Sequence, residues 1–322
     1  MQVLELHQIL APMAPAIRDK NLYLVFLQSL QRGDWFAIAN ALIDIQGDFL
    51  SQGRVADPGN QVKASRNLQQ VIGNTLLEIK DPSQLEALIA GIDARLIQGS
   101  DNQALYLYRG TAALLADRQD LYEQIFNDRL VVGYDLAQII QVPDFQAFCD
   151  TLISDLERVV HFRPIGGNCP TSEYSFNMVG AESDAIQLYN TAVQACFSDY
   201  SRQRYGAPLD FAPGDIEGFT VRLYNGESLA QHIHPTSWLT CASYVRIPPL
   251  GDIEENDGII VFLQPNENGR MTPYQTYRPE LGKLLIFPAY LPHYTMAVRS
   301  GQERVSSNYD VYCKPSGFPP AA

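Results

Sequence analysis

The chain has 322 residues, 46% of them hydrophobic and 18% charged, with a formal net charge of −13. That is enough material for two packed domains of roughly 100–200 residues each. Lys and Arg form no basic stripe and no apolar run reaches the roughly 18 residues of a membrane span, so neither nucleic acid nor a membrane is expected as a partner.

Residues 1–140 read as helix almost throughout. The first stretch, Met1 to Lys20, carries Glu5 and His7 but no basic leader, which argues against a signal peptide. Apolar residues then recur at three- and four-residue spacings in Asn21–Leu30, Phe36–Phe49, Val62–Ile79 and Leu85–Leu96, and again in Ala104–Leu115 and Leu121–Phe126. Asp81-Pro82-Ser83 supplies a breaker and an N-cap, and Gln98-Gly99-Ser100-Asp101 a second boundary. The spacing suggests stacked helical hairpins. A tetratricopeptide signature of Trp, Leu-Gly and Tyr is missing, so a plain helical bundle that props up a second domain is the simpler expectation. The helical part is also the natural place for a protein contact.

After Val142-Pro143 the texture changes. Asp144–Val160 and Ser183–Arg204 still read as helices, but from Gly218 onward strand alternates with turn. Phe219–Tyr224, Leu239–Ile247, Gly258–Leu263, Lys283–Phe287 and Ser306–Cys313 are short runs rich in β-branched and aromatic residues. Pro and Gly clusters punctuate them, with Asn225-Gly226 as a hairpin signal. Many short strands at regular spacing indicate a sandwich or barrel. The expected fold class is therefore α+β, a helical domain over 1–140 followed by a β domain over 141–322. Gln264–Pro279 reads as a long connection between strands, where Arg270, Tyr274 and Tyr277 line a substrate entrance. The acidic turn Asp252–Asp257 lacks EF-hand spacing and reads as a solvated turn.

The five cysteines (Cys149, Cys169, Cys196, Cys241 and Cys313) are odd in number, widely spaced and form no CxxC pair. This excludes a zinc knuckle and a disulfide framework, and fits reduced thiols in a cytoplasmic protein.

Three of the five histidines fall in the β region: His232, His234 and His293. His232 and His234 stand at i and i+2 in an extended segment, so their side chains point to one side. His293 follows the predicted strand Leu284–Phe287, and eleven residues later comes Arg304-Val305-Ser306. Two histidines and a third ligand arranged facially leave open positions on iron(II) for a bidentate co-substrate and oxygen. An Arg fork with a neighbouring hydroxyl suits the far carboxylate of a dicarboxylate. A lone histidine beside a strand is ordinarily structural, and His7 and His161 are read so; the joint spacing sets the other three apart.

These stretches resemble the iron(II)/2-oxoglutarate-dependent dioxygenase superfamily, most of all a 2OG-Fe(II) oxygenase branch often found with helical repeats. The matching pieces are His232-Ile233-His234-Pro235-Thr236-Ser237-Trp238-Leu239-Thr240, Ala242-Ser243-Tyr244-Val245, Gly282–Pro288, Pro292-His293 and Glu303-Arg304-Val305-Ser306-Ser307-Asn308. The resemblance spans about residues 215–312. It implies a double-stranded β-helix (jelly roll), iron(II) as cofactor and 2-oxoglutarate as co-substrate, molecular oxygen as oxidant, and hydroxylation of an unactivated C–H bond in a small-molecule or peptide substrate. It further implies His232 and His293 as iron ligands, Arg304 on the C5 carboxylate, and Tyr244, Ser306 and Asn308 as further contacts to the co-substrate.

One position departs from the superfamily pattern. Where Asp or Glu follows the first histidine by two residues, this chain has His234, which makes the ligand set poorer by one negative charge. His234 is either the third iron ligand or a residue bonded to a backbone carbonyl behind the pair His232 and His293. Two further alternatives stay open: a three-histidine dioxygenase that does not use 2-oxoglutarate, and a non-catalytic cupin-like binding module. Arg304 could also pair with Glu303 or Asp310 at the surface.

Overall fold

The computed structural model describes residues 6, 10–11, 13–51, 68–166, 169–224, 226–248, 256–297 and 303–318. It divides into two compact units. The first comprises Met1–Asn127, Gln264–Thr272 and Pro319–Ala322; the second comprises Asp128–Leu263 and Pro273–Phe318.

The first unit is helical. After a single 3₁₀ turn at Ala14–Ala16 come α1 (Lys20–Arg32), α2 (Trp35–Ser51), α3 (Pro82–Ile97), α4 (Ala104–Leu115) and α5 (Gln119–Ile125). Local chemistry sets their ends. The Asp19 carboxylate accepts from the Asn21 amide at the start of α1, and Gly33 closes it in the left-handed region at φ 64°. At α3 the cap is Asp81, whose side chain accepts from the Ser83 amide, with Pro82 as first helical residue. Ile38, Leu42 and Ile45 of α2 and Leu88, Ile89 and Ile92 of α3 are buried at helical spacing, so the apolar stripes form the core. The expected helix Val62–Ile79 lies partly outside the described residues, which are helical over 68–76. His7 and most of the turn Asp252–Asp257 also lie outside them.

The second unit carries β1 (Val132–Asp135), α6 (Leu136–Ile140), α7 (Phe145–Val159), β2 (Arg163–Gly166), β3 (Cys169–Ser175), α8 (Asp184–Tyr205), β4 (Ile216–Leu223), β5 (Leu239–Arg246), β6 (Ile260–Pro265), β7 (Met271–Tyr277), β8 (Lys283–Pro288), β9 (His293–Thr295) and β10 (Arg304–Val311). Seven strands form one sheet in the order β1-β8-β5-β10-β4-β3-β2, and three form another in the order β7-β6-β9. Helices α7 and α8 begin at the side-chain caps Asp144 and Ser183. Strand β10 is central, pairing antiparallel with β4 on one side and β5 on the other. The molecule is thus a mixed helix-and-sheet protein with antiparallel pairing.

Several expectations need correction. Val132–Asp135, read as part of the helical stretch, instead pairs with Lys283–Ile286 as an edge strand. Its four residues are too few to show a period-2 pattern against the surrounding helices. Gln264–Pro279 is not an irregular connection: Met271–Tyr277 is a strand beside β6, and the segment Gln264–Thr272 groups with the helical unit. Arg270 there lines a cavity with Leu77 and Lys80. None of the five cysteines joins a disulfide. Among the described residues no helix is long and apolar enough to cross a membrane.

Candidate metal centre

The three histidines come together. One ring nitrogen from each of His232, His234 and His293 lies within 4.8 Å of the others, close enough for one ion. The backbone arranges this. His232 and His293 form an isolated antiparallel bridge in which each amide donates to the other's carbonyl, at 2.9 and 3.0 Å. Directly opposed residues put their side chains on one face, and the two rings stand 4.3 Å apart, centroid to centroid. The His234 amide donates to the Ala289 carbonyl, which holds the 232–234 segment extended against the turn after β8. Its ring therefore returns to the same side, 5.2 Å from His232 and 5.4 Å from His293.

The second nitrogen of each ring is held from behind. His232 Nδ1 faces the Ala230 carbonyl at 2.8 Å and His293 Nδ1 faces the Leu291 carbonyl at 3.0 Å. A carbonyl only accepts, so each Nδ1 carries the proton and Nε2 keeps its lone pair for a metal. His234 Nδ1 faces a carboxylate instead: both oxygens of Asp310 lie within reach, at 2.9 and 3.0 Å. Of the two placements open for His234, the carbonyl-bonded one is replaced by this Asp310 contact. Phe287 and Phe262 wall His293 at 4.9 and 6.0 Å, and Phe219 stacks on His234 at 6.2 Å. The donor set, three imidazoles whose rear nitrogens each face an acceptor in an apolar surround, fits a divalent first-row metal.

Strand β10 builds the rest of the site. Its residues alternate faces, so Arg304, Ser306, Asn308 and Asp310 share one side while Val305, Ser307 and Tyr309 share the other. Tyr309 on that far side donates its hydroxyl to Asn190 of α8. On the near side Ser306 pairs with Tyr244 of β5, and Asn308 and Asp310 pair with Phe219 and Glu217 of β4. The register between β10 and β5 shifts at Val305/Ser306, where Val245 is the extra residue, and this turns Tyr244 towards Ser306. The Asn308 amide donates to the Ser306 hydroxyl at 3.2 Å.

Arg304 is 1% exposed. Its guanidinium donates to the Gly258 carbonyl and lies over the Tyr244 ring, 5.6 Å from the centroid. No carboxylate among the described residues pairs with it. Glu303 instead binds Arg222 and Arg246, and Asp310 binds His234, so the alternative surface pairing of Arg304 does not occur. Burial pulls the Arg304 guanidinium below its ordinary pKa, with Tyr244 opposing. Burial likewise pushes the Tyr244 phenol up, against the pull of Arg304. Arg304 Nε and the Tyr244 hydroxyl are buried without a hydrogen-bond partner among the described residues. A buried cation and orphaned donors beside it are costly on their own and suit an incoming anion that accepts from both.

Every sequence-predicted site residue therefore lies in the second unit: His232, His234 and His293 at one end, and Arg304, Ser306, Asn308 and Tyr244 along β10 and β5. Asp310, Phe219 and the Gly258 carbonyl were not foreseen. A period of two from Arg304, Ser306 and Asn308 puts Asp310 on their strand face, but nothing local in the sequence gives its contact with His234.

Residues 218–310 match the family profile described as "Putative 2OG-Fe(II) oxygenase", so the resemblance read from the sequence is shown over that segment, with iron and 2-oxoglutarate as the cofactor and co-substrate that the family name carries. No curated protein matches the chain. Among solved structures, a prolyl-4-hydroxylase from Pseudomonas putida is similar at 14% identity and a TM-score of 0.42, covering 64% of this chain and 99% of its own. The non-haem α-ketoglutarate-dependent epimerase SnoN from nogalamycin biosynthesis is similar at 14% and 0.42, covering 59% and 83%. A prolyl hydroxylase from Trichoplax adhaerens, in complex with a hypoxia-inducible-factor peptide, is similar at 12% and 0.41, covering 58% and 84%. At those values the likenesses assign neither substrate nor reaction to this chain.

Proposed function

We propose that this chain, whose residues 218–310 carry the 2OG-Fe(II) oxygenase pattern, is an iron(II)- and 2-oxoglutarate-dependent oxygenase that hydroxylates a C–H bond of its substrate. In this reading the second unit is a double-stranded β-helix and contains the whole machinery. The observation that carries the proposal is the occurrence of two features in the second unit: a three-histidine cluster, and a buried Arg304 with no carboxylate partner among the described residues.

His232, His234 and His293 would hold iron(II) through Nε2, leaving positions open for co-substrate and oxygen. Arg304 would receive the far carboxylate of 2-oxoglutarate, and Tyr244 would donate its hydroxyl to the same group. Ser306 and Asn308 would fill the polar wall between that carboxylate and the metal. Phe219, Phe262 and Phe287 give the histidines apolar neighbours. When bound, the metal supplies the meeting point of co-substrate and oxygen, with 2-oxoglutarate oxidised to succinate and carbon dioxide as one oxygen atom enters the substrate. The protein's own part is orientation: Arg304 and Asp310 belong to one strand, β10, which would hold the carboxylate anchor and the metal end in fixed relation.

Anaerobic calorimetric titration of the iron-loaded protein tests this. Tight 1:1 binding of 2-oxoglutarate, with much weaker binding of the monocarboxylate pyruvate, is expected. Equal affinity for the two acids would overturn the dicarboxylate assignment.

A further inference from the structure

Where the superfamily pattern puts a carboxylate, this chain puts a histidine, and behind that histidine stands a carboxylate. His234 Nδ1 contacts both oxygens of Asp310 at 2.9 and 3.0 Å, and both side chains are about 15% exposed. The other two histidines are backed by neutral backbone carbonyls. We propose that Asp310 is a positioning residue that delivers, through His234, the negative charge a direct carboxylate ligand would have brought. This inference rests on the oxygenase reading, because it takes the three histidines as iron ligands.

The placement favours this role over an incidental contact. Asp310 occupies the β10 face shared with Arg304, Ser306 and Asn308, so the strand that anchors the co-substrate also sets the metal end. Its cross-strand partners Thr240 and Glu217 offer no cation. The Thr240 hydroxyl donates to the Tyr309 carbonyl, and Glu217 accepts from the Tyr312 hydroxyl, so each is engaged elsewhere. Strand β10 is itself pinned, since the Trp238 amide donates to the Val311 carbonyl at 2.7 Å. That bond ties the segment after His234 to the residue after Asp310. A carboxylate accepting from Nδ1 raises the electron-donating power of Nε2, orients the ring and favours the higher oxidation state of a bound metal. Carbonyl acceptors orient as well but bring no net charge.

The isosteric Asp310→Asn keeps an acceptor oxygen for Nδ1 and removes the charge, whereas Asp310→Ala removes both. Wild type, the two variants and His234→Ala are titrated anaerobically with iron(II), and the Fe(III)/Fe(II) midpoint potential is measured on each protein that binds. Circular dichroism confirms the fold of each. The proposal expects roughly 10–100-fold weaker iron(II) binding in Asp310→Ala. It expects a smaller loss in Asp310→Asn, together with a clear positive shift of the potential. Wild-type affinity and potential in both folded variants would overturn the role of Asp310 and leave the oxygenase reading standing. Failure of the wild type to bind iron(II) would overturn both.

Discussion

His232 and His293 exchange both of their backbone hydrogen bonds, although 61 residues separate them in the chain. The placement of this pair is therefore fixed by main chain, and the rings can be changed without dismantling the scaffold. We expect His232→Ala and His293→Ala to stay folded, losing about 1–2 kcal/mol of stability from the broken side-chain bonds to Ala230 and Leu291. Iron(II) affinity should fall by more than roughly 100-fold, beyond the usual loss from a residue behind a ligand. Metal titration beside thermal unfolding separates the two effects; wild-type affinity in either variant would remove that histidine from the ligand set.

In the proposed function Arg304 and Tyr244 would divide the co-substrate's far carboxylate between a charge and a hydroxyl. Arg304→Ala should weaken 2-oxoglutarate binding by about 1.5–3 kcal/mol, the scale of a charge-assisted bond, with iron affinity unchanged. Tyr244→Phe should cost about 1 kcal/mol, because only the neutral donor is lost. Calorimetry with iron-loaded protein reads both, and equal losses would contradict the division of roles.

Gly218 of β4 stands directly opposite Tyr309 of β10. A Cβ there would come within 2.8 Å of the Tyr309 ring and 2.9 Å of Met178 Cβ. Tyr309 is fully buried with its hydroxyl bonded to Asn190, so it has little room to give. Gly218→Ala should destabilise the protein by about 1–3 kcal/mol through overpacking. Chemical denaturation checks it, and an unchanged midpoint would show that the strands relax at no cost.

The thiols differ in reach. Burial pushes Cys149 and Cys196 up to about 12, while half-buried Cys313 is raised to about 11. Since the thiolate is the reactive form, at pH 8 Cys313 should be alkylated first and the four buried cysteines only after unfolding. Mass spectrometry of briefly treated native protein checks the order. Early labelling of Cys241, which is fully buried in the sheet, would contradict the packing.

The long helices were legible in the sequence because their apolar periods run through several turns: Ala104–Leu115 is helix over its predicted span. The strands β5 and β8 were legible for the parallel reason, being largely buried runs of eight and six residues rich in apolar and β-branched side chains. Short edge pieces escaped. Val132–Asp135 and His293–Thr295 hold four and three residues, too few for a period, and exist only because a partner strand recruits them. Among site residues, the histidines and Arg304 announced themselves through spacing. Asp310 did not, because a contact across 76 residues of sequence is a property of the sheet register rather than of any local motif.

The most direct measurement is succinate formation from 2-oxoglutarate under oxygen with iron(II)-loaded protein, compared with the metal-free protein and with Arg304→Ala. The account predicts slow succinate release by the loaded wild type, matched one to one by oxygen consumed and raised when a true substrate is added. It predicts none above background in the metal-free protein and a strongly reduced rate in Arg304→Ala at limiting 2-oxoglutarate. Iron(II)-loaded, folded wild type that neither binds 2-oxoglutarate nor releases succinate would contradict it.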